Sequence, residues 1–158
     1  MNGGQDFLRT KKGNPDSYSA DTKGGIEWTN EPGEHSIDDV NTIDLSMKTT
    51  YSDVYNVYKG LIALRKNNSV AFGKNTSASA STAKTKNADG KEVRTKGVTK
   101  YTTGNFRIFF NATDNDVEIA SGEKEGYKNL VDVSTGTPAE SNAVPEKVPA
   151  KSFVILKK

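Results

Sequence analysis

The chain has 158 residues, of which 33% are hydrophobic, and 22 basic residues against 20 acidic ones give a net charge of +2. This length favours one domain or one small domain with part of another, and the scattered lysines argue against a nucleic-acid partner, which needs a clustered basic face. Cysteine is absent, which excludes disulfides and thiolate metal sites. We expect no metal, no cofactor and, because no apolar run reaches about 20 residues, no membrane partner.

The first third of the chain reads as a strand end followed by a long loop. Residues 1–10 are predicted to end a strand, and residues 11–36 are rich in the Gly, Pro, Asn and Asp that suit turns. The single tryptophan, Trp28, lies in this loop. It could stack on the apolar face of a sugar ring or anchor the loop, and the anchor is the favoured interpretation. Tyr18 is ambiguous in the same way.

Residues 50–66 give the clearest pattern of the chain. Their apolar and aromatic residues recur at the spacing of an amphipathic helix: Tyr51, Val54, Tyr55, Tyr58, Leu61 and Ile62. Thr50 with Asp53 resembles a weak capping box, and the polar run 67–69 ends the predicted helix. Residues 37–48 predict one short helical turn before it.

Beyond residue 69 the pattern changes to that of short strands. Residues 73–92 are low in complexity and predict either a flexible excursion or irregular edge strands. The runs that predict strands are 98–102, 106–111, 117–120, 129–133 and 152–156. Residues 113–116 predict a hairpin connection. We therefore predict a mainly β chain, with an incomplete region at 1–68 and an antiparallel β-sandwich at 69–158.

The acidic residues and the single histidine give no persuasive catalytic set. Retaining sugar hydrolysis needs two carboxyl groups about 5 Å apart. Asp38 and Asp39 are merely adjacent, Asp114 and Asp116 flank a turn, and His35 has no obvious serine partner. The residues alone therefore predict no catalytic site.

Several segments together resemble the C-terminal region of type I pullulanases, which are alpha-amylase-type glycoside hydrolases. The resemblance covers nearly the whole chain, and the helical segment is its most specific part. The segments that carry it are residues 4–11, 16–18, 41–44, 51–66, 70–72, 129–132 and 148–156.

The resemblance implies that residues 1–10 end the eighth strand of a (β/α)8 barrel, that residues 50–66 form its eighth helix, and that a C-terminal β-sandwich follows. It also implies hydrolysis of α-1,6-glucosidic bonds in pullulan and branched α-glucans. The catalytic carboxylates would lie before residue 1, so no catalytic residue is assigned to this chain. Residues 11–48 would border the glucan cleft, and of the family's pattern in this loop Asn14, Asp16, Ser17 and Tyr18 map onto this chain. Trp28 joins them as a candidate substrate contact because its ring could stack on a sugar.

The expected role is accessory: the β-domain would pack against the barrel and stabilise it. Two alternatives remain open, an α-glucan-binding β-module and an inert immunoglobulin-like spacer. The expected partner is the rest of the barrel, with α-glucan as a further candidate, and the resemblance implies a monomeric, extracellular or cell-surface bacterial protein. Three departures from the family concern the loop's substrate contacts: Asp6 replaces glutamate, Leu45 replaces tryptophan, and residues 19–36 form a longer loop.

Overall fold

The computed structural model describes residues 5–9, 43–74 and 76–158. The chain divides into two compact units, residues 1–58 and 59–158. Eight strands and three short helices occur among the described residues, which confirms the mainly β prediction. The predicted loop at 11–36 lies outside the described residues, and the predicted domain boundary after residue 68 stays a prediction.

In the first unit, Gln5–Phe7 form a 3-10 turn. The prediction that these residues end a strand was therefore wrong. A strand needs a hydrogen-bonded neighbour, and no sheet of the described structure includes them. Phe7 is 3% exposed, and the Lys48 ammonium lies 5.5 Å from its ring centroid and 5.4 Å from that of Tyr55. This cation–π arrangement joins the turn to the helical part of the unit.

The helices are α1 (Met47–Thr50) and α2 (Ser52–Asn67), which confirms the helix predicted at 50–66. Gly60 and Leu64 are buried on α2, and their spacing of four puts them on one side of the helix. A Cβ placed on Gly60 would overlap the carbonyl oxygen of Val133 and lie 2.9 Å from the Val133 Cβ. The α2 backbone therefore lies directly against the segment that follows the fifth strand.

Eight strands follow, and all five predicted strands are confirmed. They pair antiparallel in one sheet of order β6-β5-β8-β3-β2-β1-β4-β7. A third short helix, α3 (Ser121–Lys124), lies between β4 and β5. The strands are β1 (Ala78–Lys86), β2 (Glu92–Thr103), β3 (Phe106–Asn111), β4 (Val117–Ile119), β5 (Asn129–Asp132), β6 (Ala139–Ser141), β7 (Lys147–Val148) and β8 (Ser152–Lys157).

The low-complexity segment contains β1, for which the sequence left two interpretations open. β1 lies between β2 and β4, but it pairs with β4 only at Thr85 and Lys86. Only Ala83 and Thr85 are buried along its nine residues. The small and hydroxyl side chains of β1 form a strand because the neighbouring strand β2 supplies its hydrogen bonds. Since few of these side chains are buried, the sequence has little apolar periodicity that would identify the strand.

The sheet is curled: β7, at one end of the strand order, contacts β3 and β8, which lie several strands away in that order. The curl encloses the main core, which consists of Ala83, Val98, Phe109, Ile119, Tyr127, Val148, Val154 and Leu156. Asn111 at the end of β3 closes it. Its Nδ2 donates to the carbonyls of Val148 (3.1 Å) and Pro149 (3.0 Å), while its Oδ1 accepts from the Thr113 N–H.

Residues 113–116 do not form the predicted hairpin connection. They link β3 to β4, which are not neighbours in the sheet. The Asn111 side chain binds the carbonyl of Asn115 at 2.8 Å, so the turn is stabilised by a buried amide instead of by pairing of its flanking strands. The turn residues were recognisable from the sequence, whereas the long-range pairing of their strands was not.

The contact between α2 and Val133 predicts that adding a single methyl group at Gly60 lowers the stability of the fold. Gly60→Ala should reduce the free energy of unfolding by about 1–3 kcal/mol, because overpacking outweighs the gain in helix propensity of about 1 kcal/mol. Urea denaturation followed by circular dichroism measures it. The matched control is Gly122→Ala in α3, where an added Cβ meets nothing within 4 Å and stability should be unchanged or slightly higher. Equal effects of the two substitutions would contradict the packing argument.

Candidate functional site

The five residues predicted to border a glucan cleft cannot be located in the fold. Asn14, Asp16, Ser17, Tyr18 and Trp28 all lie outside the described residues, so their role stays a prediction. The features described below belong to the second unit, residues 59–158.

The turn that follows α2 is fixed to the β2–β3 hairpin. The Thr103 hydroxyl donates a hydrogen bond to the carbonyl of Ala71, which is 7% exposed. Gly104 has φ +51°, and a Cβ placed on it would lie 2.8 Å from the Ala71 Cβ. The Phe72 and Phe106 rings lie 5.0 Å apart between centroids. The end of the helix is therefore held in place by a hydrogen bond, a close backbone approach and an aromatic contact.

A cleft of about 680 Å³ lies between this turn and the hairpin. Gly104 has a positive φ and Asn105 does not, the pattern of a type II′ turn with glycine first. The cleft is lined by Asn67, Asn68, Ser69, Val70, Ala71, Thr76, Gly104 and Asn105. We name it the Asn67–Asn105 cleft. All its described lining residues are uncharged.

A second, smaller cleft of about 410 Å³ lies between the last turns of α2 and the turn that follows the helix. Its described lining residues include the apolar Ile62 and Phe72 and the basic Arg65 and Lys66. Ile62 is 47% exposed. The helix therefore carries an exposed apolar residue, Ile62, on a different side from the one that meets Val133.

A largely buried ionic cluster connects α3 to β1, β2 and β3. Glu123 is 8% exposed; its Oε2 lies 2.5 Å from the Lys100 Nζ and its Oε1 accepts from the Lys84 N–H at 3.2 Å. Arg107 donates to the Glu123 carbonyl at 2.6 Å, and its guanidinium lies 4.6 Å from the Tyr127 ring centroid. These contacts use both carboxylate oxygens, so the cluster has a structural role.

The surroundings of Glu123 act on its pKa in opposite directions. Burial raises the pKa of this carboxyl, but the hydrogen bonds from Lys100 and from the Lys84 backbone N–H lower it, as do the charges of Lys100 and Arg107. The net result is a pKa below its ordinary value. Ionised Glu123 is therefore the form that the fold stabilises.

Some aromatic side chains of residues 69–158 are buried and others are partly or largely exposed. Phe106, Phe109 and Tyr127 are buried. Phe110 is 45% exposed, and its ring centroid lies 6.2 Å from that of Phe153, with the ring planes tilted by 42°. These two rings offer an exposed aromatic pair, but their tilt does not make a flat surface.

No protein-family model matches the chain. Among the described residues, no group of three or more His, Asp or Glu side chains is placed to hold a metal ion. No described helix has both the length and the apolar character needed to cross a membrane.

The sequence reasoning missed the Asn67–Asn105 cleft. The one local signal was Gly104-Asn105 between two strand-like runs, which is typical of a two-residue hairpin turn. The approach of this turn to Ala71 depends on tertiary packing and has no signal in the sequence.

The ionic cluster predicts a pH dependence of stability. Because the folded pKa of Glu123 is lowered, its stabilisation is present above the unfolded pKa of about 4.3 and is lost as the pH falls through the folded value. Glu123→Gln should reduce stability by about 2 kcal/mol at pH 7. It should also remove part of the decline below about pH 4.3, as measured by urea denaturation from neutral to acidic pH.

The matched control is Glu125→Gln, which removes the same charge from the exposed residue two positions on. It should leave both the stability at neutral pH and the acid decline unchanged. A wild-type acid decline in Glu123→Gln would rule out the assigned role of the carboxylate.

Proposed function

We propose that this chain is the C-terminal region of a type I pullulanase-like hydrolase of α-1,6-glucosidic bonds. In this proposal the β-sheet packs against the catalytic barrel through α2 and stabilises it, without taking part in bond cleavage. The observation that carries the proposal is the apolar character of α2 on two of its sides.

One side of α2 is covered by the β-sheet and the other is not. Gly60 and Leu64 are buried, and Gly60 lies against Val133. Ile62 is two positions from each of them, about 200° around the helix, and is 47% exposed. A helix that is apolar on opposite sides is typical of one buried between two layers. The resemblance to pullulanases supplies the second layer, since it makes this helix the last one of a barrel.

Further exposed apolar side chains precede the sheet. In the first unit Leu8 is 48% exposed, Ile43 43% and Leu45 62%. Removing apolar surface from water contributes about 25 cal/mol per Å². Covering these side chains with a barrel would therefore stabilise both partners, which supports an accessory role.

An α-glucan-binding β-module is the second candidate, favoured by one observation. The exposed Phe110 pairs with Phe153, and aromatic faces suit sugar rings. Their tilt and the burial of Phe106 and Phe109 leave no flat aromatic row on the described strands. The accessory role therefore has the stronger support, and an immunoglobulin-like spacer remains the outcome if neither holds.

The accessory role predicts that the chain alone releases no reducing sugar from pullulan, because the resemblance assigns the catalytic carboxylates to other segments. The assay compares the purified chain with a mock-purified preparation. Turnover that co-purifies with the chain and exceeds this background would overturn the proposal.

A fused protein tests the packing of α2. Residues 52–158 replace the equivalent C-terminal region of a characterised type I pullulanase, and we expect pullulan hydrolysis to persist. Ile62→Asp should then speed thermal inactivation about tenfold, equivalent to about 1.4 kcal/mol of lost stabilisation, because it places a charge in the proposed interface. The same substitution in the chain alone should barely change its stability, since Ile62 is exposed there.

The control is Val93→Asp on β2, at a residue of similar exposure, 38%, which should leave the inactivation rate of the fused protein unchanged. Identical inactivation of the Ile62→Asp and Val93→Asp proteins would mean that α2 does not pack on the barrel, and the spacer interpretation would replace the proposal.

A further inference from the structure

We propose that the Asn67–Asn105 cleft binds a neutral saccharide, held by the side-chain amides of Asn67 and Asn105. This site deepens the proposed function, on which it rests for the choice of a glucan as the probe.

The walls of the cleft are fixed on regular elements. One wall is the end of α2, where the backbone N–H and the side-chain Nδ2 of Asn68 both donate hydrogen bonds to the carbonyl of Leu64, at 3.1 and 2.9 Å. The other is the hairpin turn that holds Asn105, fastened to Ala71 by the Thr103 hydroxyl. The volume of about 680 Å³ lies within the range of about 300–1,000 Å³ that small-molecule sites occupy. The cleft therefore exists before any ligand arrives.

The polar groups of the cleft both donate and accept. The amides of Asn67 and Asn105 and the hydroxyl of Ser69 line it, and none of the three is hydrogen-bonded to another described side chain or backbone group. Each amide offers two donors and a carbonyl acceptor, and a hydroxyl does both. A ligand rich in hydroxyl groups can satisfy all of them.

The electrostatics of the cleft select a neutral ligand. No charged side chain is among its described lining residues, so neither an anion nor a cation would find a partner charge there. The carbonyls of Arg65, Lys66 and Asn67 accept no backbone hydrogen bond from the described turn that follows, and the end of a helix carries a partial negative charge. That end accepts hydrogen bonds from hydroxyl groups and disfavours anions.

An apolar patch completes the match to a sugar. Val70 is 88% exposed and lines the cleft with Ala71. A pyranose has hydroxyl groups at its edge and C–H groups on its faces, so it can place the C–H groups on these side chains while its hydroxyl groups meet the amides. An amphiphilic surface of this kind suits a saccharide better than a uniformly polar solute.

The test is a ¹H–¹⁵N correlation titration of the full chain with maltotriose. We expect saturable shifts at residues 67–71 and 104–105 by about 10 mM, at which a millimolar Kd approaches saturation. Asn67→Ala and Asn105→Ala should each weaken binding about fivefold, the effect of one lost hydrogen bond. The control Asn142→Ala, at an exposed asparagine outside the cleft, should bind like the wild type.

Two results would overturn the site: no saturable shift at these residues, or equal shifts with sodium sulfate, which would show binding without selection for a neutral ligand. Shifts confined to Phe110 and Phe153 would also reject it and would favour the aromatic pair. Failure here is distinct from failure of the accessory role, because the fused protein's inactivation rate depends on Ile62 and should not change with Asn67→Ala.

Discussion

The close approach of Gly60 to Val133 is the constraint on which the second unit depends. Only a residue without a Cβ lets the α2 backbone come this close to the segment after β5, and that approach sets the distance between the helix and the sheet. The turn after the helix then meets the hairpin at Ala71 and Gly104, a second place where backbones come too close for a Cβ. The Asn67–Asn105 cleft lies beside this second contact, so its shape follows from two glycines.

The curl of the sheet is a separate constraint, and polar groups secure it as much as apolar ones. Its core comes from strands that are far apart in the hydrogen-bonded order, such as β7 and β8. Asn111 joins β3 to the segment after β7 through two backbone carbonyls, and Glu123 joins α3 to β1 and β2. Leaving a buried amide or carboxylate without a hydrogen-bond partner destabilises the fold by more than a satisfied hydrogen bond stabilises it. These two side chains therefore select one arrangement of the sheet.

Elements with clear apolar periodicity could be predicted from the sequence, whereas features that depend on long-range contacts could not. α2 and the five predicted strands show apolar periodicity, but β1 has only Ala83 and Thr85 buried and so gave no clear pattern. The connection at 113–116 has ordinary turn residues, yet its strands pair elsewhere. The cleft joins residues more than 30 positions apart, as the contact from Thr103 to Ala71 illustrates, and no local rule brings them together. The candidate substrate contacts lie outside the described structure, both those predicted from the family resemblance (Asn14, Asp16, Ser17 and Tyr18) and Trp28, which was predicted from its aromatic ring.

The apolar residues on two sides of α2 support the proposed accessory role over that of an independent spacer. A spacer that folds alone has no second layer to cover the exposed one. Ile62 lies opposite Gly60 and Leu64 and is half exposed, and the basic Arg65 and Lys66 line the same cleft as Ile62. Basic groups at the last turn interact favourably with the helix dipole, so they do not require a partner. Under the proposed accessory role a second layer covers Ile62, and this makes α2 the part of the chain on which the proposal depends most.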